Sequence, residues 1–138
     1  MGTFYKHVPQ CLGCGTGNPK SFELRFRKEG DEVKASLPTG RDFEGPEGFV
    51  HGGAISLLID EAAAVLAASL RGGAFLTAKL EVVFQRPVPI GETLSVSARP
   101  LRPCSRFLLA GVDVRGEDSG LVAQGRAWFI KRPPGGKT

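Results

Sequence analysis

The chain predicts an α+β fold: six antiparallel strands and one long helix, in the order β-β-α-β-β-β-β. Three observations predict it. Residues 48–73 hold one run rich in Ala and Leu, bounded by the glycine pairs Gly52-Gly53 and Gly72-Gly73. Six shorter segments alternate apolar and polar side chains at the period of a half-buried strand. Clusters of Gly, Pro, Asn and Asp punctuate the intervals between them.

Residues 1–20 read as an irregular segment, with Gly13, Gly15, Gly17 and Asn18-Pro19 as turn signals. Phe22 to Lys28 then alternates Phe22, Leu24 and Phe26 with charged residues, and Glu32 to Leu37 does the same with Val33, Ala35 and Leu37. The Gly30-Asp31 turn joins them as a hairpin. Residues 38–50 form a loop anchored by Phe43 and Phe49. The helix is expected over 53–71, about 18 residues and so about 27 Å long. Strands follow at Leu76–Gln85, Glu92–Arg99, Arg106–Val114 and Leu121–Lys131. In the first of these, Leu80, Val82 and Phe84 share a face. Arg102-Pro103 and Gly116–Gly120 supply turns. Residues 21–132 make one domain, and 133–138 read as a disordered tail.

The helix is apolar nearly all round. Ile55, Leu58, Ile59, Ala62, Leu66 and Leu70 form one face, while Leu57, Ala64 and Ala68 occupy the other. Such a helix belongs in an interior. One sheet face covers only part of it, and the simplest cover for the rest is a second copy of the chain. A homodimer is therefore expected, and the exposed sheet faces also permit a tetramer of two dimers.

Two carboxylates interrupt this helix, Asp60 and Glu61. As neighbours they point about 100° apart and cannot share one task. An unpaired buried carboxylate is costly. Either the helix edge is solvated there, or one acid works as a general base or nucleophile. At the helix start the first N–H groups lack internal partners, and Gly52 and Gly53 allow close approach to them. With the helix dipole, that arrangement suits a developing oxyanion. It equally suits a tight loop that needs glycine for its backbone angles alone.

A chain of 138 residues with 41% hydrophobic and 23% charged side chains is long enough and apolar enough for a proper core. No apolar run reads as a membrane span, and the N-terminus lacks the apolar centre of a signal peptide. The expected location is cytoplasmic. The net charge of +4 is mild, and the basic residues are scattered without interleaved aromatics, which argues against a nucleic-acid partner. Three cysteines, Cys11, Cys14 and Cys104, argue against a disulfide framework. Cys11-Leu-Gly-Cys14 has the spacing of half a zinc site, but the second half is missing. A site of His7, Cys11, Cys14 and one further ligand is conceivable; a plain turn with free thiols, and no metal, is the expectation.

Taken together, His51-Gly52-Gly53-Ala54-Ile55 opening a buried helix, with Asp60 nine residues after the histidine, resembles the hotdog-fold acyl-CoA thioesterases. The nearest branch is the one named for the phenylacetate-pathway (PaaI-like) thioesterase. Cys11-Leu-Gly-Cys-Gly with Asn18-Pro19, Phe43-Glu-Gly-Pro-Glu-Gly-Phe-Val, and Thr77 with Leu80-Glu-Val-Val-Phe84 and Arg86-Pro87-Val88 extend the resemblance over about residues 11–131.

The resemblance implies an acyl-CoA substrate, hydrolysed to a free acid and coenzyme A, with no metal and no bound cofactor. It makes Asp60 the catalytic carboxylate, as general base or nucleophile. It gives Gly52 the N–H that polarises the thioester carbonyl, His51 a place beside the site, and Thr77 the task of orienting the water or the carboxylate. Gly53, Gly45, Phe49 and Arg86 fall among the substrate-contacting positions. Gly45 stands where many members carry Asn or Gln, so one polar contact is missing. Glu61 has no assigned role and reads as a solvated or salt-bridged neighbour. Arg86, Arg102, Arg106, Lys131 and Arg132 are candidate partners for coenzyme A phosphates. Phe43, Phe49, Phe75 and Leu76 are candidates for the acyl pocket.

Gly52 and Asp60 are about 12 Å apart along one helix, so one thioester carbon cannot touch both. If both act on it, they come from different subunits. A non-catalytic acyl-CoA binding module and an enoyl-thioester hydratase, which would pair His51 with Asp60, are the alternatives on the same fold.

Overall fold

A computed structural model describes residues 8–73, 75–103 and 107–131. The elements are β1 (Arg27–Glu29), β2 (Glu32–Pro38), a short 3-10 turn (Arg41–Phe43), α1 (Gly52–Arg71), β3 (Phe75–Phe84), β4 (Thr93–Pro103), β5 (Phe107–Gly116) and β6 (Gly120–Lys131). The six strands form one antiparallel sheet in the order β1-β2-β4-β5-β6-β3. The sheet wraps α1, which is the hotdog architecture. His7, Cys104, Arg106, Arg132 and the 133–138 tail lie outside the described residues.

Alternation decides what the sheet buries. Val33, Ala35 and Leu37 on β2, Leu94, Val96 and Ala98 on β4, and Ala123, Ala127 and Phe129 on β6 all face α1 and are buried. From the helix, Ile55, Leu58, Ile59, Ala62, Val65 and Leu66 meet them. Close contact of helix and sheet depends on Gly125: a Cβ there would meet Ile59 Cγ2 at 2.5 Å. The opposite flank, including Leu57, Ala64 and Ala68, is only half-buried in the single chain.

By length and composition α1 would pass for a membrane span, contrary to the reading that no run does. Packing against the sheet accounts for the apolarity of one side of it. The helix stops at Gly72, whose φ of 69° lies in the left-handed region and whose N–H reaches Ala68 O at 2.8 Å.

Two expected boundaries move. The strand expected over Phe22–Lys28 shrinks to β1, because its first half bonds elsewhere. Phe22 N–H donates to Leu12 O at 2.8 Å and Leu24 N–H to Gly13 O at 3.0 Å. Glu23 between them takes a φ of 55°, which no strand residue adopts. Leu24 and Phe26 are nonetheless buried. The turn expected at Arg102-Pro103 is instead the end of β4. A register shift between Pro100 and Arg102 accommodates the prolines within the pairing to β5.

A second bulge shapes β3. Thr77 pairs with Phe129 and Lys79 with Trp128, so Ala78 is the extra residue. Strict alternation would place Thr77 on the face opposite Leu80, Val82 and Phe84. With Ala78 inserted, Thr77 and those three all face the helix. Lys79 and Glu81 turn outward, where Lys79 Nζ lies 4.7 Å from the Trp128 ring and Glu81 pairs with Arg126 at 2.7 Å.

Candidate active site

His51 ends the 38–50 loop in extended geometry and caps α1. Its Nδ1 accepts the Gly53 N–H at 2.8 Å. The Gly53 N–H is thus engaged by the cap, while the residue itself lines an open hollow described below. The same bond fixes the tautomer, since a neutral imidazole accepting at Nδ1 carries its proton on Nε2. A ring in that state offers a donor rather than a base, which weighs against a His51–Asp60 hydratase pair.

Gly45 stands directly against the cap. A Cβ there would meet His51 Cα at 2.8 Å and its Cβ at 3.0 Å, so a larger side chain has no room here without movement of His51. Glu44 finishes the loop by accepting the Gly48 N–H at 2.6 Å.

The Gly52 N–H has no acceptor among the described residues. It lies at the positive end of a 20-residue helix. A cavity of about 260 Å³ opens beside it, lined by Val50, Gly52, Ile55, Phe84, Arg86 and Val88 among others. Arg86 therefore shares a cavity with Gly52, with its guanidinium donating to Ser119 O at 3.2 Å. Across the helix start a second hollow of about 340 Å³ lies among Phe22, Phe43, His51, Gly53, Ala54 and Leu57.

Phe43 lines that second hollow and packs edge-on against Phe22, with ring centroids 4.9 Å apart. Phe49 lines neither hollow. It bridges to Pro89 through the backbone and is 39% exposed. Lys131 sits at the far end of the helix near Gly73, remote from Arg86. The Arg102 side chain, like Arg106 and Arg132, is outside the described residues.

Asp60 lies on the half-buried flank of α1. Thr77 Oγ1 donates to Asp60 Oδ1 at 2.7 Å. The bond leaves Oδ2 without a partner among the described residues and orients the carboxylate, as a positioned base or nucleophile requires. Asp60 and Thr77 thus meet, and Gly52 and Arg86 share one cavity, while His51 lines the hollow on the other side of the helix start. The two groups are separated along α1 within one chain.

Glu61 departs from its expected state as a solvated or salt-bridged neighbour. It is tucked beneath the Cys11–Cys14 loop, where Cys11 Sγ lies 3.4 and 3.6 Å from its two carboxylate oxygens. Burial, followed by hydrogen bonding with Glu61 and Cys11, pushes the Cys14 thiol well above the ordinary thiol range. The signal missed in the sequence is Gly13 within the Cys-x-Gly-Cys segment: a side chain there would strike the Glu61 carboxyl carbon at 2.5 Å.

Fold and site define a hotdog protein with a helix-borne carboxylate and an open helix N-terminus. Residues 47–123, more than half the chain, match the family model described as the thioesterase superfamily, and the chain belongs to that family.

Among curated relatives it is 34% identical to acyl-coenzyme A thioesterase THEM4 of Xenopus laevis over 96 residues, 69% of this chain and 43% of that one. It is 31% identical to the Bos taurus THEM4 over 116 residues, 82% of this chain and 47% of that one. The chain therefore spans less than half the length of these relatives. Among solved structures, a thioesterase from Haemophilus influenzae superposes with a TM-score of 0.76 at 18% identity, covering 91% of this chain and 90% of that one. The PaaI protein of the E. coli phenylacetic acid degradation operon gives 0.74 at 18% identity, covering 81% of each. At such identities these two establish the fold alone.

Proposed function

We propose that the chain is an acyl-CoA thioesterase that acts as a homodimer, with each active site built from two subunits. The observation that carries this reading is the separation of a Thr77-oriented Asp60 from a Gly52 N–H that has no acceptor among the described residues, both on one helix. Eight residues of α-helix place them about 12 Å apart. A single thioester group needs a carboxylate and an oxyanion donor within hydrogen-bond reach, so a second helix must supply one of them.

The surface of the single chain supports this. β3 is an edge strand, and Leu76, Val83 and Phe84 on it are 42%, 58% and 51% exposed. An apolar, unpaired edge of this kind is a template for another strand. A second β3 running alongside would cover it and the half-buried flank of α1 together.

In the proposed reaction the thioester carbonyl lies at the N-terminus of one helix, where the Gly52 N–H and the helix dipole stabilise the oxyanion. Asp60 from the other subunit takes a proton from water, or attacks the carbonyl carbon to give a mixed anhydride that water then opens. The acyl–sulfur bond breaks and the coenzyme A thiolate departs. Thr77 holds the carboxylate for either route. Arg86, beside Gly52, is the described cation best placed for a coenzyme A phosphate. The relatives named as acyl-coenzyme A thioesterases support the substrate class.

The test is release of free thiol from aromatic, short-chain and long-chain acyl-CoAs. Turnover by the wild type and a loss of at least about 100-fold in Asp60→Asn are expected. Binding without thiol release would leave a non-catalytic acyl-CoA module instead.

A further inference from the structure

Cys11 lies 50 residues from Glu61 in sequence, yet Cys11, Cys14 and Glu61 place their ligand atoms within 4.8 Å of one another. Asp60, Thr77, His51 and Gly52 account for the proposed hydrolysis without any of them. We propose that these three residues form a binding site for a thiophilic divalent cation, zinc foremost.

The geometry fits. Zinc binds thiolate sulfur at about 2.3 Å and carboxylate oxygen at about 2.0–2.2 Å, in a tetrahedron. Those lengths set a sulfur-to-oxygen edge of about 3.5–3.7 Å. Cys11 Sγ stands 3.4 and 3.6 Å from the two Glu61 oxygens. Two thiolates select zinc over magnesium or calcium, and the three residues leave a fourth position for water.

The site is also built rather than fortuitous. Gly13 leaves the space that the Glu61 carboxyl group occupies, since a Cβ would lie 2.5 Å from its carboxyl carbon. Backbone bonds hold the loop on both sides: Gly15 N–H to Cys11 O at 2.8 Å, Phe22 N–H to Leu12 O at 2.8 Å and Leu24 N–H to Gly13 O at 3.0 Å. The positive φ of Glu23 belongs to the same arrangement. Arg25 donates to the Cys14 carbonyl at 3.0 Å and sets a positive charge beside a site of net charge −1. Cys14 is buried and Cys11 partly open, so the ion has an entry path on one side.

Binding replaces two thiol protons by the ion, and those protons leave to solvent. The ion would clamp the N-terminal loop to the middle of α1, one residue from Asp60. The sequence alone leads to the expectation of free thiols and no metal; the fold brings Glu61 to the two cysteines.

The test uses the reduced, full chain dialysed against Zn²⁺ and, in parallel, Co²⁺. One zinc per chain is expected, and the cobalt form should show thiolate-to-metal charge-transfer bands with tetrahedral ligand-field bands. Cys11→Ser/Cys14→Ser should lose both. Glu61→Gln should weaken binding at least about 10-fold, the scale at which even an outer-shell partner weakens a site. If the double variant fails to fold, the wild-type cobalt spectrum and the Glu61→Gln affinity still decide. No uptake by the reduced wild type, a cobalt spectrum without thiolate bands, or unchanged affinity in Glu61→Gln would each overturn the proposal. So would a Cys11–Cys14 disulfide that persists under reductant.

Discussion

Thr77 reaches Asp60 across the helix–sheet interface through a 2.7 Å hydrogen bond, and it does so because Ala78 bulges out of β3. Without the extra residue Thr77 would share the outer face with Glu81, and the carboxylate would lose its orienter. The bond therefore ties the proposed chemistry to one irregularity in one strand.

Thr77→Val removes the donor and keeps the shape. A hydrogen bond to a charged group contributes about 1.5–3 kcal/mol, so kcat should fall about 10- to 100-fold with KM little changed. Thr77→Ser should restore most of the rate. Steady-state kinetics on one acyl-CoA separate a positioning role from a structural one, which would lower stability and leave kcat intact.

His51→Ala deletes the helix cap. A cost of about 1 kcal/mol is expected in urea unfolding, and His51→Asn, a good capping residue, should recover much of it. Equal stability in all three proteins would show that the Nδ1 contact contributes nothing.

Gly125→Ala should be the most damaging small change to the core. Its new methyl would fall 2.5 Å from Ile59 Cγ2 in a buried contact. Overpacking of this kind costs about 1–3 kcal/mol. Gly120→Ala, with open space but a φ of 72°, tests backbone strain alone and serves as the comparison.

Glu92 predicts an acid-labile contact. Burial of its carboxyl opposes ionisation, but bonds from Ser119 Oγ, Ser119 N–H and Asp118 N–H outweigh it and hold the group below its ordinary value of 4.5. The folded value is depressed, so the stabilisation is complete above 4.5 and is lost as pH falls through the lowered folded value. Glu92→Gln should be less stable than wild type at neutral pH, and the gap should close in acid. Thermal unfolding across pH 3–7 would expose the error if the gap stayed constant.

Much of this was legible in the residues. The bounds of α1 follow from its glycines and Ala-rich interior, and Val33, Ala35 and Leu37 lie inward as their alternation requires. The Asp60–Thr77 pair was legible only through resemblance, because alternation alone sends Thr77 outward; a bulge leaves no mark in the side-chain pattern. The bond from Gly53 N–H to His51 was not legible because a histidine cap is rarer than Ser or Asp, so the His51 side chain was not counted as an acceptor. Glu61 was misread because its partner Cys11 lies 50 residues away in an irregular loop, where no periodicity reports contact.

The central claim is that each site draws on two chains, and complementation tests it directly. Gly52→Pro removes one N–H at the first helical position, where proline is well tolerated and where His51 is already extended. Asp60→Asn removes the carboxylate. Each homodimer should be nearly inactive. When the two are unfolded, mixed in equal amounts and refolded together, half the dimers are mixed and each holds one intact site, so activity should return to about a quarter of wild type. A mixture no more active than its parents would contradict the shared site.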